Sequence, residues 1–300
     1  MTGTASRIES NRGGILVVGL LLGAAAGQAL ADEARDFLNV PTGSWYPAYY
    51  LVLSETRSPD GRTVIDSTTN LFRVTNTLNV FGRTGGWNLI VPLQTLSLSF
   101  DGDTGSRKTN LGDPKFVFDL NLFGAPARTR EEFRSFVPRP YASLHVAVTA
   151  PLGAYDPTAA LNAGSNRWTI TPEVNYSWTP NAGKSWLELY LKPTFFTEFR
   201  NYAGSKTMTQ DVQLDLEGHA SHDLAPWLWA ALDVFYNAGG QTTVDGVSQH
   251  NGDSTFSLGA TANFIPWRHG KVQLTYRAPV SSPSDISRTR TFMLYVAHLF

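Results

Sequence analysis

The sequence predicts an all-β fold, a transmembrane antiparallel up-and-down β-barrel of about twelve strands. Three observations carry that expectation. Beyond residue 31 the chain falls into alternating segments of roughly ten residues, the length a tilted strand needs to cross a bilayer. Charged residues make up 16% of the chain, against about 25% in soluble proteins. It holds 17 Phe, 11 Tyr and 8 Trp, yet no stretch after the leader approaches the roughly 18 continuous apolar residues of a membrane helix.

The leader comes first. Arg7 and Arg12 precede an apolar run from Ile15 to Leu22 that continues through Ala24, Ala25 and Ala26. It closes on Ala29-Leu30-Ala31, a small-x-small triplet ahead of Asp32. Basic head, short apolar centre and A-x-A end form the layout of a secretory signal peptide. A membrane anchor needs about 20 apolar residues, and this run is shorter and broken by glycines. The expected organisation is a signal peptide over 1–31, a periplasmic N-terminal segment over 32–44 and a barrel over 45–300. The expected location is the outer membrane of a Gram-negative cell. The chain has no cysteine, which suits passage through an oxidising periplasm. Its net charge of -1 and the lack of a basic stripe exclude nucleic acid as an expected partner.

Four segments alternate plainly. In 115–122, Phe116, Phe118, Leu120 and Leu122 interleave with Lys115, Val117, Asp119 and Asn121. In 167–178, Trp168, Ile170, Val174, Tyr176 and Trp178 interleave with Arg167, Thr169, Thr171, Glu173, Asn175 and Ser177. Segments 212–221 and 256–264 repeat the pattern, and period two puts one set on each sheet face. A soluble sandwich alternates too, but its strands cluster near about five or six residues. Hydrocarbon cannot satisfy an open sheet edge, which selects a closed barrel. Trp45, Trp87, Trp186 and Trp227 open segments, while Trp178 and Trp267 close them. All six fall on the side holding both termini, where an interfacial aromatic girdle belongs.

The other strands are expected over 45–55, 71–81, 87–100, 140–151, 186–199, 228–237, 271–280 and 291–300. The count is even, so both termini lie in the periplasm. Short periplasmic turns are then 82–86, 180–185, 223–226 and 265–270. Longer outer loops are 56–70, 101–113, 152–166, 200–211, 238–253 and 281–290. The connection 124–139 is long yet periplasmic, with a helical turn expected over 129–133. At the C-terminus Phe292, Leu294, Val296 and His298 lead to Phe300 at alternate positions. This resembles the C-terminal signal read by barrel-assembly machinery, an expected partner along with outer-membrane lipid.

A Lys or Arg on the lipid face near midplane costs about 2–4 kcal/mol, so charges within strands should point inward. The candidate pore-lining residues are therefore Arg73, Lys115, Asp119, His145, Arg167, Glu173, Glu188, Lys192, Asp215, Glu217, Asp233 and Arg277. Both signs occur, which suggests cross-strand pairs bracing a narrow bore. Such a set is either ordinary lumen polarity or a means of fixing bore size and selectivity. Segment 32–44 either folds into the bore as a plug or frays in the periplasm. Asp101-Gly102-Asp103-Thr104-Gly105 echoes the start of a calcium loop but lacks its third acidic ligand and its glutamate at position twelve. His219 and His222 sit three apart, which on a strand sends the rings to opposite faces and argues against shared metal ligation.

Two stretches resemble a known family. One is Leu111-Gly112-Asp113-Pro114 followed by Phe118-Asp119-Leu120-Asn121-Leu122-Phe123-Gly124-Ala125-Pro126. The other runs Thr149-Ala150-Pro151-Leu152-Gly153-Ala154-Tyr155-Asp156-Pro157, then Leu161-Asn162-Ala163-Gly164-Ser165-Asn166-Arg167-Trp168, then Pro172-Glu173. Both look like the bacterial transporter family labelled "MetA-pathway of phenol degradation". The Gly-Tyr-Asp-Pro to Asn-Arg-Trp region is the most specific; here Ala154 separates Gly153 from Tyr155. The resemblance implies an outer-membrane barrel linked to uptake of aromatic or other hydrophobic compounds, and carries no catalytic residues with it.

The expected function is a passive channel for small hydrophobic or aromatic solutes, needing no cofactor, and not an enzyme. Two other classes stand beside it. A phospholipase-like barrel would use His219-Ala220-Ser221, but that pair is expected inward and near the periplasmic end, away from lipid. No G-x-S-x-G and no H-E-x-x-H occurs. A non-conducting structural or adhesive barrel would want longer outer loops.

Overall fold

The computed structural model describes residues 32–300. The expected leader and its cleavage after Ala31 lie outside the described residues. The elements in chain order are β1 (Trp45–Arg57), β2 (Thr63–Val80), β3 (Arg83–Phe100), β4 (Asp103–Leu111), β5 (Lys115–Phe123), a helical turn α1 (Arg130–Phe133), β6 (Tyr141–Thr149), β7 (Thr169–Trp178) and β8 (Ser185–Phe196). They continue as β9 (Phe199–Tyr202), β10 (Lys206–Gln210), β11 (Gln213–Ala225), β12 (Leu228–Gly239), β13 (Thr242–Val244), β14 (Val247–Ser248), β15 (Asp253–Phe264), β16 (Gly270–Ser281) and β17 (Arg288–His298).

The main sheet closes on itself, each strand antiparallel to its neighbours. β17 pairs with β1 from Ala48↔Ala297 to Arg57↔Arg288. Beyond the ladder, Phe300 N–H donates to the Trp45 carbonyl at 2.9 Å. Closure leaves no edge to hydrocarbon, the condition a membrane imposes on sheets. Every one of the twelve expected segments contributes a wall strand. β3 is shared: its inner half pairs with β5 and its outer half with β4.

The outer face is apolar. Phe72, Phe118, Ile170, Leu189, Leu232 and Phe292 are all exposed there, and lipid tails are the solvent that suits them. Trp45, Trp178, Trp227 and Trp267 are also outward-facing, and Trp45 meets Trp87 edge-to-face at 5.7 Å. Trp186 departs from the expectation. It is buried, packed with Ala125 and Tyr141 beneath Leu38. Its parity is the same as that of Glu188 and Lys192, so period two had already turned it inward.

Two regions expected as loops are strands of the main sheet. Residues 63–70 extend β2, and 103–111 form β4. Their Thr- and Ser-rich sequences have few apolar residues to alternate, so the period-two signal fades there. The two-residue connection Asp101-Gly102 has φ of 52° and 88°, the left-handed pair of a type I′ hairpin turn. That geometry, and the Asp101–Arg62 ion pair at 2.5 Å, account for the motif that echoes a calcium loop. The Arg62 guanidinium holds the Asp101 carboxyl below the usual range. The expected helical turn is present as α1, N-capped by Thr129 in a capping box with Glu132. Outer loops 200–211 and 238–253 contribute β9, β10, β13 and β14 to a second, four-stranded sheet.

Gly124 ends β5 at φ +83°, and a Cβ there would lie 2.1 Å from the Pro140 carbonyl oxygen. Both the backbone region and the close approach demand glycine. Gly124→Ala is expected to lower barrel stability by about 2 kcal/mol or more, read as a lower urea midpoint in refolded protein. An unchanged midpoint would show that β6 gives way freely.

Candidate functional site

All twelve sequence-derived candidates point into the barrel, and the register explains why. Asp119, His145 and Glu173 are direct partners across β5, β6 and β7. Glu188, His219 and Asp233 are partners across β8, β11 and β12, with Arg277 two strands further on β16, past Gly259 of β15. Lys192 faces Asp215. Each sits in a row of inward positions, where a side chain meets other side chains and not lipid.

The expected cross-strand pairing holds for part of the set. His145 Nδ1 lies 2.7 Å from Asp119, and His219 Nδ1 lies 2.7 Å from Asp233. Thr261 donates to the other Asp233 oxygen at 2.8 Å. Lys192 pairs with Glu217, and Arg277 donates to Asn237 at 2.7 Å.

Many remaining partners come from residues 32–44, which lie inside the barrel. Lys192 Nζ also pairs with Asp32 at 2.8 Å. Arg73 Nη1 reaches both oxygens of Asp36, at 2.9 and 3.1 Å. Glu33 accepts from Gln273 and from Thr275. Arg35 carries most contacts: its N–H donates to Glu188 at 2.8 Å, its Nε to Ser221 at 2.8 Å and its Nη1 to Asp223 at 2.6 Å. Its guanidinium also lies 4.8 Å over the Trp229 ring. The Phe37 ring lies against that of His145, centroids 3.7 Å apart and tilted by 33°, and Thr42 and Gly43 bond to Arg128 and Thr77. Sequence reading did not assign these partners. The signal was present: Asp32-Glu33-Ala34-Arg35-Asp36 is four charges in five residues, in the segment that leads into β1.

His219 and Ser221 share one face as expected but do not meet as a base and nucleophile. The His219 ring is held by Asp233, and the Ser221 hydroxyl accepts from Arg35. His222 is exposed, bonded to Ser185.

Above the N-terminal segment the bore widens into a cavity of about 340 Å³, at the small end of the usual range for ligand sites. Its floor includes Asp36 and Phe37, its walls Leu71, Ile90 and Phe196, and its outer side Tyr155, Pro157 and Ala160 of loop 152–166. That loop is folded inward, and the two family-like stretches are what hold it. Gly112, Gly153 and Gly164 pass backbone against backbone, so closely that a Cβ on Gly153 or Gly164 would fall 2.6 Å from a neighbouring carbonyl carbon. Asp113 accepts from the Gly153 amide at 2.8 Å and from the Ser165 amide and hydroxyl, both at 2.6 Å. Leu161 then buries against Ile65 and Leu96. Asp113→Ala removes three acceptor contacts at once, each of order 1 kcal/mol or more for a carboxylate. It is expected to free the loop, seen as rapid proteolytic cleavage within 152–166 where the parent chain resists. Equal resistance would mean that Leu161 alone anchors the loop.

Against this geometry, the family model described as "Putative MetA-pathway of phenol degradation" matches residues 50–278. The chain belongs to this family. The match runs from β1 into β16 and takes in both motif stretches that hold the loop. A comparison with curated proteins finds no match. Among solved structures, the chain is similar to the COG4313 outer membrane channel from Pseudomonas putida F1, with a TM-score of 0.78 and 18% identity over 90% of this chain and 100% of that one. It is also similar to the β domain of the Bordetella autotransporter BrkA, with a TM-score of 0.54 and 10% identity over 86% of this chain and all of that one. The transport unit of the Escherichia coli autotransporter AIDA-I gives 0.52 and 9% identity over 94% and 98%. These likenesses establish the outer-membrane barrel fold.

Proposed function

We propose that this chain is an outer-membrane channel through which small hydrophobic or aromatic compounds pass by diffusion. It is exported by a cleaved leader, and residues 32–44 close the bore at rest. The observation that carries the reading is the cavity. It lies on the barrel axis between the N-terminal segment and loop 152–166, and Leu71, Ile90, Phe196, Phe199, Met208 and Met293 give it an apolar wall. A general pore for sugars would be wet and polar throughout. The likeness to the Pseudomonas outer membrane channel, and the family's link to phenol degradation, support the same reading. Phe300, exposed at the end of the β1–β17 seam, is the proposed handle for barrel-assembly machinery.

Solute entry into liposomes holding the refolded mature chain tests this. Phenol, benzoate and indole would be compared with sugars and amino acids of similar size. Faster entry of the aromatic compounds supports the reading. Equal entry of all solutes makes the barrel a general pore. No entry at all leaves a structural barrel or a lipid hydrolase, and the hydrolase would have to separate Ser221 from Arg35 before His219 could act on it.

A further inference from the structure

Seven carboxylates and five basic side chains line the cavity, yet the two signs are not paired one to one. The basic side chains are Arg73, Lys115, Arg167, Lys192 and Arg277. Arg73 is paired with Asp36, and Lys192 with Asp32 and Glu217. Among the described residues, the other three have no carboxylate within ion-pair distance. Arg167 is the most isolated. It is 5% exposed, its Nη2 donates to Gln210, and its guanidinium lies 4.4 Å over the Phe196 ring. Its Nη1 is buried with no hydrogen-bond partner. Asp113 is the carboxylate on its side of the bore, and both Asp113 oxygens are already taken by Gly153 and Ser165.

Proteins bury a charge where something pairs with it. Arg167 has no carboxylate within ion-pair distance among the described residues, and its open donor adjoins a cavity surface of Phe196, Phe199, Tyr202 and Met208. The apolar wall gives a solute body a place to lie, and the free guanidinium nitrogen gives an anion a place to bond. A neutral hydrocarbon would leave that nitrogen unsatisfied, and a cation would be repelled by it.

We propose that Arg167 is an anion-binding residue of this cavity, and that the solutes it favours are monocarboxylates with an aromatic or apolar body. The carboxylate accepts from Nη1, and the ring packs between Phe196 and Met208. This rests on the channel reading above and narrows its substrate class. Arg167 lies directly before β7 at the outer end of the bore, beside loop 152–166, so the acid is met early on its way inward.

The test is equilibrium binding to the refolded mature chain in detergent micelles, measured by calorimetry with benzoate and benzamide. The two share a ring and a size and differ in charge. Benzoate is expected to bind about tenfold more tightly, the ratio that one hydrogen bond to a charged group supports. Arg167→Gln should bring the two affinities together, and Arg167→Lys should keep a reduced preference. Arg107→Gln, on the exposed outer hairpin, should change neither. If the Gln variant does not fold, by its heat-modified mobility on a gel, the Lys variant and the parent's benzoate-to-benzamide ratio still decide. Equal binding of the two probes, no binding of either, or a preference that survives Arg167→Gln would overturn the assignment. Binding needs no flux. Tight benzoate binding in a barrel that passes no solute would sink the channel reading alone, and fast flux of neutral aromatics without a benzoate preference would sink the anion site alone.

Discussion

Removal of residues 32–40 is expected to raise solute flux through the barrel by about tenfold or more, because those residues fill the part of the bore below the cavity. The truncation keeps Pro41 to Ser44, whose contacts to Thr77 fasten the start of β1. It takes away Asp32, Glu33, Arg35 and Asp36 and so exposes Lys192, Gln273, Glu188 and Arg73 to the lumen. These groups were buried with partners; in the truncated barrel water takes the partners' place, which limits the stability loss. Single-channel conductance and liposome uptake both report the change. A truncated barrel that passes solutes no faster than the parent would mean that loop 152–166 or the cavity wall sets the barrier, and that the N-terminal segment is only packing.

The second large effect is expected from Lys192→Met. Lys192 Nζ lies between Asp32 and Glu217 and is 6% exposed. Deleting one member of a buried ion pair leaves the other charge uncompensated, at about 3–5 kcal/mol. Here two carboxylates lose one shared cation, and Glu173, with an oxygen already unpartnered, lies in the same cluster. The barrel has a cheaper response than unfolding, since Asp32 sits on a movable segment. The variant is therefore expected to lose stability and to release the segment together, seen as a lower urea midpoint and a raised conductance. Lys192→Met combined with Glu217→Met should recover most of the midpoint, because a buried pair replaced by apolar groups of similar volume is often neutral. If the double variant is no better than the single one, the charge cluster is not what Lys192 holds together.

Particular residues show how much of this was legible in the sequence. The wall was legible because lipid enforces period two: Phe116, Phe118 and Leu120 against Lys115, Val117 and Asp119 leave a strand little choice of face. The same rule sent Arg73, Glu188 and Arg277 inward. It also turned Trp186 inward, where the expected girdle had it facing lipid. β4 and the outer half of β2 were hidden because their Thr-, Ser- and Asn-rich sequences carry no sustained apolar alternation, even though Ile65 is buried against Leu96 and Leu161. The contents of the bore were hidden for another reason. The Lys192–Asp32 and Arg35–Glu188 contacts join residues 160 and 153 apart in sequence, and no local pattern encodes such pairings. Asp113 and the three glycines carry a family resemblance in the sequence, yet their work, bending loop 152–166 into the barrel mouth, needed backbone distances to see.

The chain has no cysteine, so an engineered pair would form the only disulfide, and this permits the most direct test of a bore that opens by displacement of its N-terminal segment. Ala34 is fully buried against Ala231 and Trp229 on the inner wall. Ala34→Cys with Ala231→Cys, oxidised after refolding, would lock the segment in place. The measurement is benzoate and indole entry into liposomes before and after reduction. Entry that is abolished in the oxidised barrel and restored by reductant is the predicted result. Entry at the parent rate while the disulfide is intact would contradict it, and solutes would then have to cross by a route that leaves residues 32–44 where they are.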